Sequence, residues 1–326
     1  MSHLYPITLG IAAYLGYSGY RKGSLSLDGA ITASIVGYAS MANPFVGYGL
    51  TLITFYLTGS KATKFKAKVK EGLETHSTQP STSKVKVEGR GRDTSLGNRN
   101  AVQVLCNSLT AVLACVAFRF LNRDASIVDP LSTSPLIVIN VAGTGVNVTN
   151  LALTLLISGH YAACMGDTLA SELGILSRSP PRLVTNPLRT VPRGTNGGIS
   201  PLGLLVSALG GCIIALSQSI ALVYHGGERG WWVHGRLGVV LTVAGLGGSL
   251  VDSLLGATLQ QTLYNAKTGR VFVGQVTDVL DGKKADDRDV SWKAVTGWNV
   301  LSNNAVNFIA SASTALLTAW LGSKLF

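Results

Sequence analysis

Charge is what this sequence has least of. Only 13% of its 326 residues are Asp, Glu, Lys or Arg, where an ordinary soluble domain carries about 25%. The shortage falls hardest on the acids, 16 against 27 bases. Cysteine is sparse too. Cys106, Cys115, Cys164 and Cys212 sit in or beside apolar runs without metal-ligand spacing, which argues against a disulfide framework or a zinc cluster. No Walker A pattern, HExxH, GxSxG or Cys/His cluster is present, so the P-loop, zincin and serine-hydrolase chemistries lack their residues. Gly143-Thr144-Gly145 lies in an expected loop and is no credible dinucleotide turn. No repeat of fixed period is visible. The N-terminus has neither an A-x-A-type cleavage site nor an Arg/Ser-rich transit peptide, so its first apolar run reads as a retained helix.

What the chain has is apolar residues in long runs. Hydrophobic residues make up 47% and mean hydropathy is +0.34. Eight segments, 4–20, 26–42, 45–58, 101–121, 149–165, 198–224, 237–260 and 300–321, approach the roughly 17–25 residues needed to span a bilayer core. The expected fold is therefore all-α: a polytopic transmembrane helical bundle of seven to eight spans, one integral membrane domain over 1–326. A soluble protein with buried helices is the weaker reading. The third segment is short enough to be re-entrant. The apolar patch 135–142 is too short to span and is assigned to a loop.

Basic residues orient the bundle. With these spans, all but Arg119, Arg123, Arg229, Arg236 and Lys324 of the 27 bases fall on one side, which becomes the cytosolic side and leaves both termini lumenal or exterior. The net charge of +11 is then a topology signal, with nucleic-acid binding a poor second. An endomembrane such as the endoplasmic reticulum is the expected location. The stretch 59–98 reads as a disordered basic loop, in which 61–70 continues a helix out of the membrane and 76–83 is a Ser/Thr/Pro-rich tract. Its polybasic part could touch anionic headgroups. Asn147-Val148-Thr149 matches a glycosylation sequon but abuts a span.

The unusual polar residues collect at the cytosolic side. Asp167, Thr168, Ser171 and Glu172 close a long charge-free run, and their spacing places hydroxyls and carboxylates on one broad helical face. An acid at membrane depth costs about 2.5–3.5 kcal/mol and calls for a partner or a purpose. Asp252 is a second such acid, on an i,i+4 stripe with Gly248 and Gly256 on which another helix can pack. Between them lies a loop bearing Arg178, Arg182, Arg189 and Arg193 and no acid. It ends in Arg193-Gly194-Thr195-Asn196-Gly197-Gly198-Ile199-Ser200, where glycines before a helix start let backbone N–H groups approach an anion. Arg99, Asn100, Gln103 and Asn107 open one span, and Asn303, Asn304 and Asn307 another. Interhelical hydrogen-bond glue is the competing explanation of the amides. It explains the acids less well, because a divalent cation between carboxylates and phosphate would balance their charge.

The runs GDTLASELG, TNPLRTVPRGTNGGIS, DSLLGATLQ and WNVLSNNAVNF resemble the transmembrane protein 19 family, the integral membrane family of domain of unknown function 92, which includes plant phytyl-phosphate kinase. The resemblance covers nearly the whole chain. The GDT-x-AS-x-x-G pattern with a downstream glycine turn is also similar to dolichol and phytol kinases and CDP-diacylglycerol synthases, which use CTP and Mg²⁺ on membrane lipids. The resemblance implies a kinase that transfers a phosphoryl group from CTP or another NTP to an isoprenoid monophosphate. In that reading Asp167, Glu172 and Asp252 are catalytic, with Mg²⁺ on Asp167 and Asp252. Thr168, Ser171, Arg193, Gly194, Asn196, Gly197, Gly198 and Ser200 bind nucleotide phosphates. Arg99, Asn100, Gln103, Asn107, Asn303, Asn304 and Asn307 hold the acceptor head, and the lipid tail lies between helices. A non-catalytic membrane protein or transporter of the same family is the alternative.

Overall fold

The computed structural model describes residues 5–76, 99–141, 144–226, 229–266, 269–273 and 292–326. Its axis is α6 (Asn150–Leu173), which is buried along almost every position from Asn150 to Gly166. That burial accounts for the charge-free run, since a helix apolar all round is one enclosed by others. Helices α7 (Pro201–His225), α8 (Trp231–Leu259) and α9 (Asn303–Gly322) pack around α6, with α8 against both α7 and α9, and α3 (Gly47–His76) and α5 (Leu109–Leu121) also pack against α6. An antiparallel pair, α1 (Pro6–Arg21) and α2 (Leu27–Met41), docks through α2 on α3, α5 and the short α4 (Ala101–Cys106). By length and composition α7, α8 and α9 can each cross a membrane. Leu209, Leu216, Val239, Val243, Leu316 and Trp320 stand exposed on them, an apolar surface suited to lipid.

Glycines set how closely the central helices approach. A Cβ at Gly166 would overlap the Gly245 carbonyl of α8, one at Gly211 the Leu241 carbonyl, and one at Gly210 would lie 2.8 Å from the Gly166 nitrogen. The α6–α7–α8 crossing is therefore backbone on backbone, the small-residue packing expected where lipid supplies no hydrophobic drive. Polar ties do appear inside the bundle. Tyr48 Oη and Thr154 Oγ1 are 2.8 Å apart, Gln218 donates to Ser158 Oγ at 2.7 Å, and Asn122 and Asn150 exchange amide hydrogen bonds at 2.8 and 3.0 Å.

Several expectations need correction. The chain is mostly helical but not all-α, for eight short strands make three small antiparallel sheets among the described residues. The patch assigned to a loop is β1 (Pro135–Val141), paired with β2 (Thr144–Thr149). Its Ile and Val suit a strand, and seven residues are too few to span. The sequon residue Asn147 lies within β2, opposite Val138. The 178–193 segment is likewise not simple loop, because β3 (Arg182–Leu183), β4 (Asn186–Thr190) and β5 (Gly198–Ile199) form a second sheet. A third, of β6 (Thr262–Asn265), β7 (Arg270–Val273) and β8 (Trp292–Thr296), follows α8.

The helices also differ in extent. The expected fourth span is broken at Asn107 and Ser108, whose side chains donate to the Gln103 and Val104 carbonyls at 2.8 and 2.7 Å. Such back-bonding competes with the helical ladder. The short third segment belongs to the 30-residue α3, which runs on through 61–70 to His76, so the expected disordered loop is helical as far as that residue. The rest of that loop, including most of the Ser/Thr/Pro tract, lies outside the described residues, as do Gly143 and much of the basic 267–293 stretch. Finally, α6 continues through Asp167 to Leu173, so its acids sit on an unbroken helix.

Candidate active site at one end of the bundle

Among the described residues four helices begin at the same end, and each is capped by a side chain. Ser26 Oγ accepts from Gly29 N at α2, Asn100 and Gln103 form a capping box at α4, Ser200 Oγ accepts from Gly203 N at α7, and Ser302 Oγ from Ala305 N at α9. These N-termini carry the positive ends of their helix dipoles. Helices α6 and α8 end there and bring the acids. The site therefore joins carboxylates to helix starts that favour anions.

Two cavities meet in this region. The first, about 430 Å³, is lined by Arg99, Gln103, Asn107, Asp167, Thr168, Ser171, Glu172, Asn196, Asp252, Asn303, Asn304 and Asn307 at one end and by apolar residues of α1, α2 and α3 at the other. The second, about 300 Å³, is lined by Asp167, Ser171, Arg193, the turn from Gly194 to Gly198, Ser200 and Asp252. Asp167, Ser171, Asn196 and Asp252 face both. Residues expected to bind nucleotide phosphates and those expected to hold an acceptor thus divide largely between two chambers, with Asp167 and Asp252 at the junction. Thr168 belongs to the first chamber. Asn100 lines neither; its side chain accepts from Gln103 N at 3.0 Å as the α4 cap.

The turn between β4 and α7 owes its shape to Gly194 (φ 91°) and Gly197 (φ 78°), a backbone region open mainly to glycine. A Cβ on Gly197 would also overlap the Ala257 side chain, so the turn lies hard against α8. Asn196 fixes it from the other side, its Nδ2 donating to Gln260 Oε1 at 2.6 Å and its N–H to Thr262 Oγ1 at 3.3 Å. Arg193 donates to the carbonyls of Ser177 (2.8 Å), Ile175 (3.4 Å) and Arg178 (3.4 Å). It binds the chain leaving α6 to the glycine turn, and this is its observed work beside the cavity. The stripe expected on α8 faces three things. Gly248 packs on Ala163 of α6, Asp252 faces the cavities, and Gly256 meets Asn196.

Asn307, with its amide nitrogen toward the acceptors, donates to Asp252 Oδ2 at 3.2 Å and to Asn303 O at 3.0 Å. Glu172 takes a different role from the other acids. Its Oε1 accepts from Thr63 Oγ1 at 3.2 Å, and its charge acts on Arg99. Burial lowers the Arg99 guanidinium from its ordinary range, while Glu172 and Tyr56 act to raise it. The Arg99 backbone is held between Ser24 and Ser26 by hydrogen bonds of 3.1 Å. Tyr56 and Thr63, both on α3, were not singled out from sequence, nor were Ser249 and Ser253, which line the second cavity. The signal for the α3 pair was weak: a hydroxyl seven residues beyond a Tyr, on a helix whose partners lie far away in the chain.

Asp167 and Asp252 suit a divalent cation bound jointly with phosphate. Magnesium is commonly held by one or two carboxylates plus substrate oxygens and waters. No group of three or more His, Cys, Asp or Glu placed to hold a metal occurs among the described residues, so a cage built from protein ligands alone does not fit.

Comparison with known proteins agrees with the helical, apolar character of the chain. It is 32% identical to Protein PGR of Arabidopsis thaliana over 312 residues, 95% of this chain and 93% of that protein. It is 38% identical over 102 residues to an uncharacterized membrane protein of Methanocaldococcus jannaschii, covering 31% of this chain and 37% of the other. No solved structure matches. Residues 10–315 match the family described as integral membrane protein DUF92, and the chain belongs to that family.

Proposed function

We propose that this protein is an integral membrane phosphotransferase, moving the terminal phosphoryl group of CTP or another NTP to an isoprenoid monophosphate. The observation that carries the reading is the pair of cavities meeting at Asp167 and Asp252. In this assignment the nucleotide phosphates lie on the 194–198 turn and the α7 N-terminus. The acceptor phosphate lies beside Arg99, Gln103 and Asn307, and its chain runs into the apolar part of the first cavity.

An acceptor phosphate oxygen attacks the terminal phosphorus, the bond to the bridging oxygen breaks, and the nucleoside diphosphate leaves with that electron pair. Such transfers need positioning and charge neutralisation more than covalent help. Bound Mg²⁺ would supply part of the neutralisation, with Asp167 and Asp252 as its protein ligands. Arg99 offers a fixed fork of donors to the acceptor phosphate. The Glu172 carboxylate, which accepts from Thr63 of α3, acts on Arg99 through its charge. The helix N-termini add partial positive charge where phosphate oxygens gather.

The proposed topology has seven to eight crossings, the site on the cytosolic side of an endomembrane and both termini opposite. Accessibility tags in the 59–98 stretch and the 178–193 segment are expected to report the same side. Opposite sides would overturn this arrangement. At the far end of the bundle, the Asn122–Asn150 pair, the Arg229–Asp129 ion pair at 2.7 Å and His225 at 2.8 Å from the Val128 carbonyl tie loop to helix. These ties favour a one-sided site over a transporter path.

The deciding experiment gives the purified protein labelled CTP or ATP, Mg²⁺ and a panel of prenyl monophosphates. Labelled prenyl diphosphate is the expected product, and its absence with every donor and acceptor would sink the assignment.

A further inference from the structure

The apolar part of the first cavity is lined by α1, α2 and α3. Helix α2 runs inward from the site end, and the cavity follows it past Ala33, Val36 and Gly37 to Met41, the last residue of that helix. Fifteen residues at 1.5 Å each give α2 a length of about 22 Å, so the cavity reaches far from the acids. Small residues line it, Ala12 and Gly16 on α1 and Ala33 and Gly37 on α2, with Gly16 packed on Ala30 and Ser34. At the deep end it narrows. The Ala12 Cβ lies 3.4 Å and the Met41 Cε 3.6 Å from where a Gly37 Cβ would stand. Met41 is also pressed against Gly49 of α3, where a Cβ would meet the Met41 side chain. Its side chain thus lies between Gly49 of α3 and the place where Ala12 of α1 meets Gly37, at the deep end of the chamber.

We propose that Met41, with Ala12 across from it, sets the length of isoprenoid chain the protein accepts. The inference rests on the phosphotransferase reading for the identity of the head group. It adds that the tail is measured from the acids to Met41 as the floor. A chain that stops short of Met41 leaves apolar wall uncovered, and one that is too long must bend or displace the thioether. Each extra or missing methylene in such a pocket changes discrimination by about 10–200-fold. Met41 is suited to the position because an unbranched, polarizable side chain fills irregular gaps.

The test uses the full chain in phosphatidylcholine nanodiscs, with geranyl, farnesyl, geranylgeranyl and longer polyprenyl monophosphates. Competitive binding and diphosphate formation are both measured. Met41→Ala lowers the floor and is expected to shift preference toward longer chains by about tenfold, and Ala12→Leu raises it and is expected to shift preference toward shorter chains by a similar factor. Opposite shifts cannot come from damage to the fold, which would weaken every ligand alike. Unchanged preference in both variants while diphosphate still forms would overturn the floor and leave the transfer reading standing. Opposite binding shifts without any diphosphate would keep the floor and sink the transfer. If no prenyl monophosphate competes with bilayer lipid, the chamber holds only a phospholipid chain and both ideas fall.

Discussion

Replacing Asp167 or Asp252 by Asn is expected to cut phosphoryl transfer by about 10²–10³-fold, the usual effect of removing one fixed electrostatic element from a reaction centre, without lowering the unfolding temperature. The two outcomes have one cause. A carboxylate taken out of water is costly unless paired, and Asp252 and Asp167 lie on long apolar helices facing the same cavities. Asn keeps the shape and removes the charge, so the fold gains or stays level while the site loses what would bind a cation and phosphate. The glue explanation makes the opposite forecast. Asp252 accepts from Asn307 at 3.2 Å, and an amide oxygen at position 252 could accept the same bond. If these acids were only interhelical ties, Asn would therefore be nearly silent. Transfer rate and thermal unfolding measured on the same detergent preparation separate the cases. Equal product from wild type and both variants would remove the acids from the reaction.

Much of the helical framework was legible because its cause is local. Charge-free runs mark α6, α7 and α8, and α7 and α8 are long and apolar enough to cross a membrane. The acids stood out for the same reason, as exceptions within those runs. What the sequence hid depends on pairs distant along the chain. Thr63 and Glu172 are 109 residues apart, and nothing near either one announces the other. The bond that Ala101 N–H donates to Asp28 Oδ2, 3.0 Å across 73 residues, is similar. The break at Asn107 and Ser108 was obscured by apolar neighbours on both sides, although two consecutive side chains able to bond the preceding carbonyls were a usable sign. The strands were missed for another reason. Pro135–Val141 has strand-forming residues, but in so apolar a chain a short hydrophobic run reads first as an incomplete span.

The glycines at the helix crossing connect this packing to the chemistry. Gly166→Leu is expected to destabilise the protein by about 1–3 kcal/mol or more, because the added atoms meet backbone and no rotamer can avoid them. A Cβ there would already overlap the Gly245 carbonyl. The more instructive change is Gly166→Ala. Alanine gains about 1 kcal/mol of helix propensity over glycine, which offsets part of the steric cost and leaves a folded protein with α6 pushed away from α8. The next residue on α6 is Asp167, and Asp252 lies just under two turns beyond Gly245 on α8. Wedging the crossing therefore changes the separation of the two carboxylates. A misplacement near 1 Å can cost about 10²-fold in rate, so transfer should fall by that order while the unfolding temperature moves only a few degrees. Gly159→Ala is the matched control. It lies two turns earlier on α6, where a Cβ would stand 2.6 Å from the Thr318 Cβ of α9, so the wedge parts α6 from α9 and not from α8. That variant should keep most of its activity for a comparable loss of stability. If Gly159→Ala and Gly166→Ala reduce transfer equally, the glycine crossing does not set the spacing of the acids, and Gly166 serves the bundle alone.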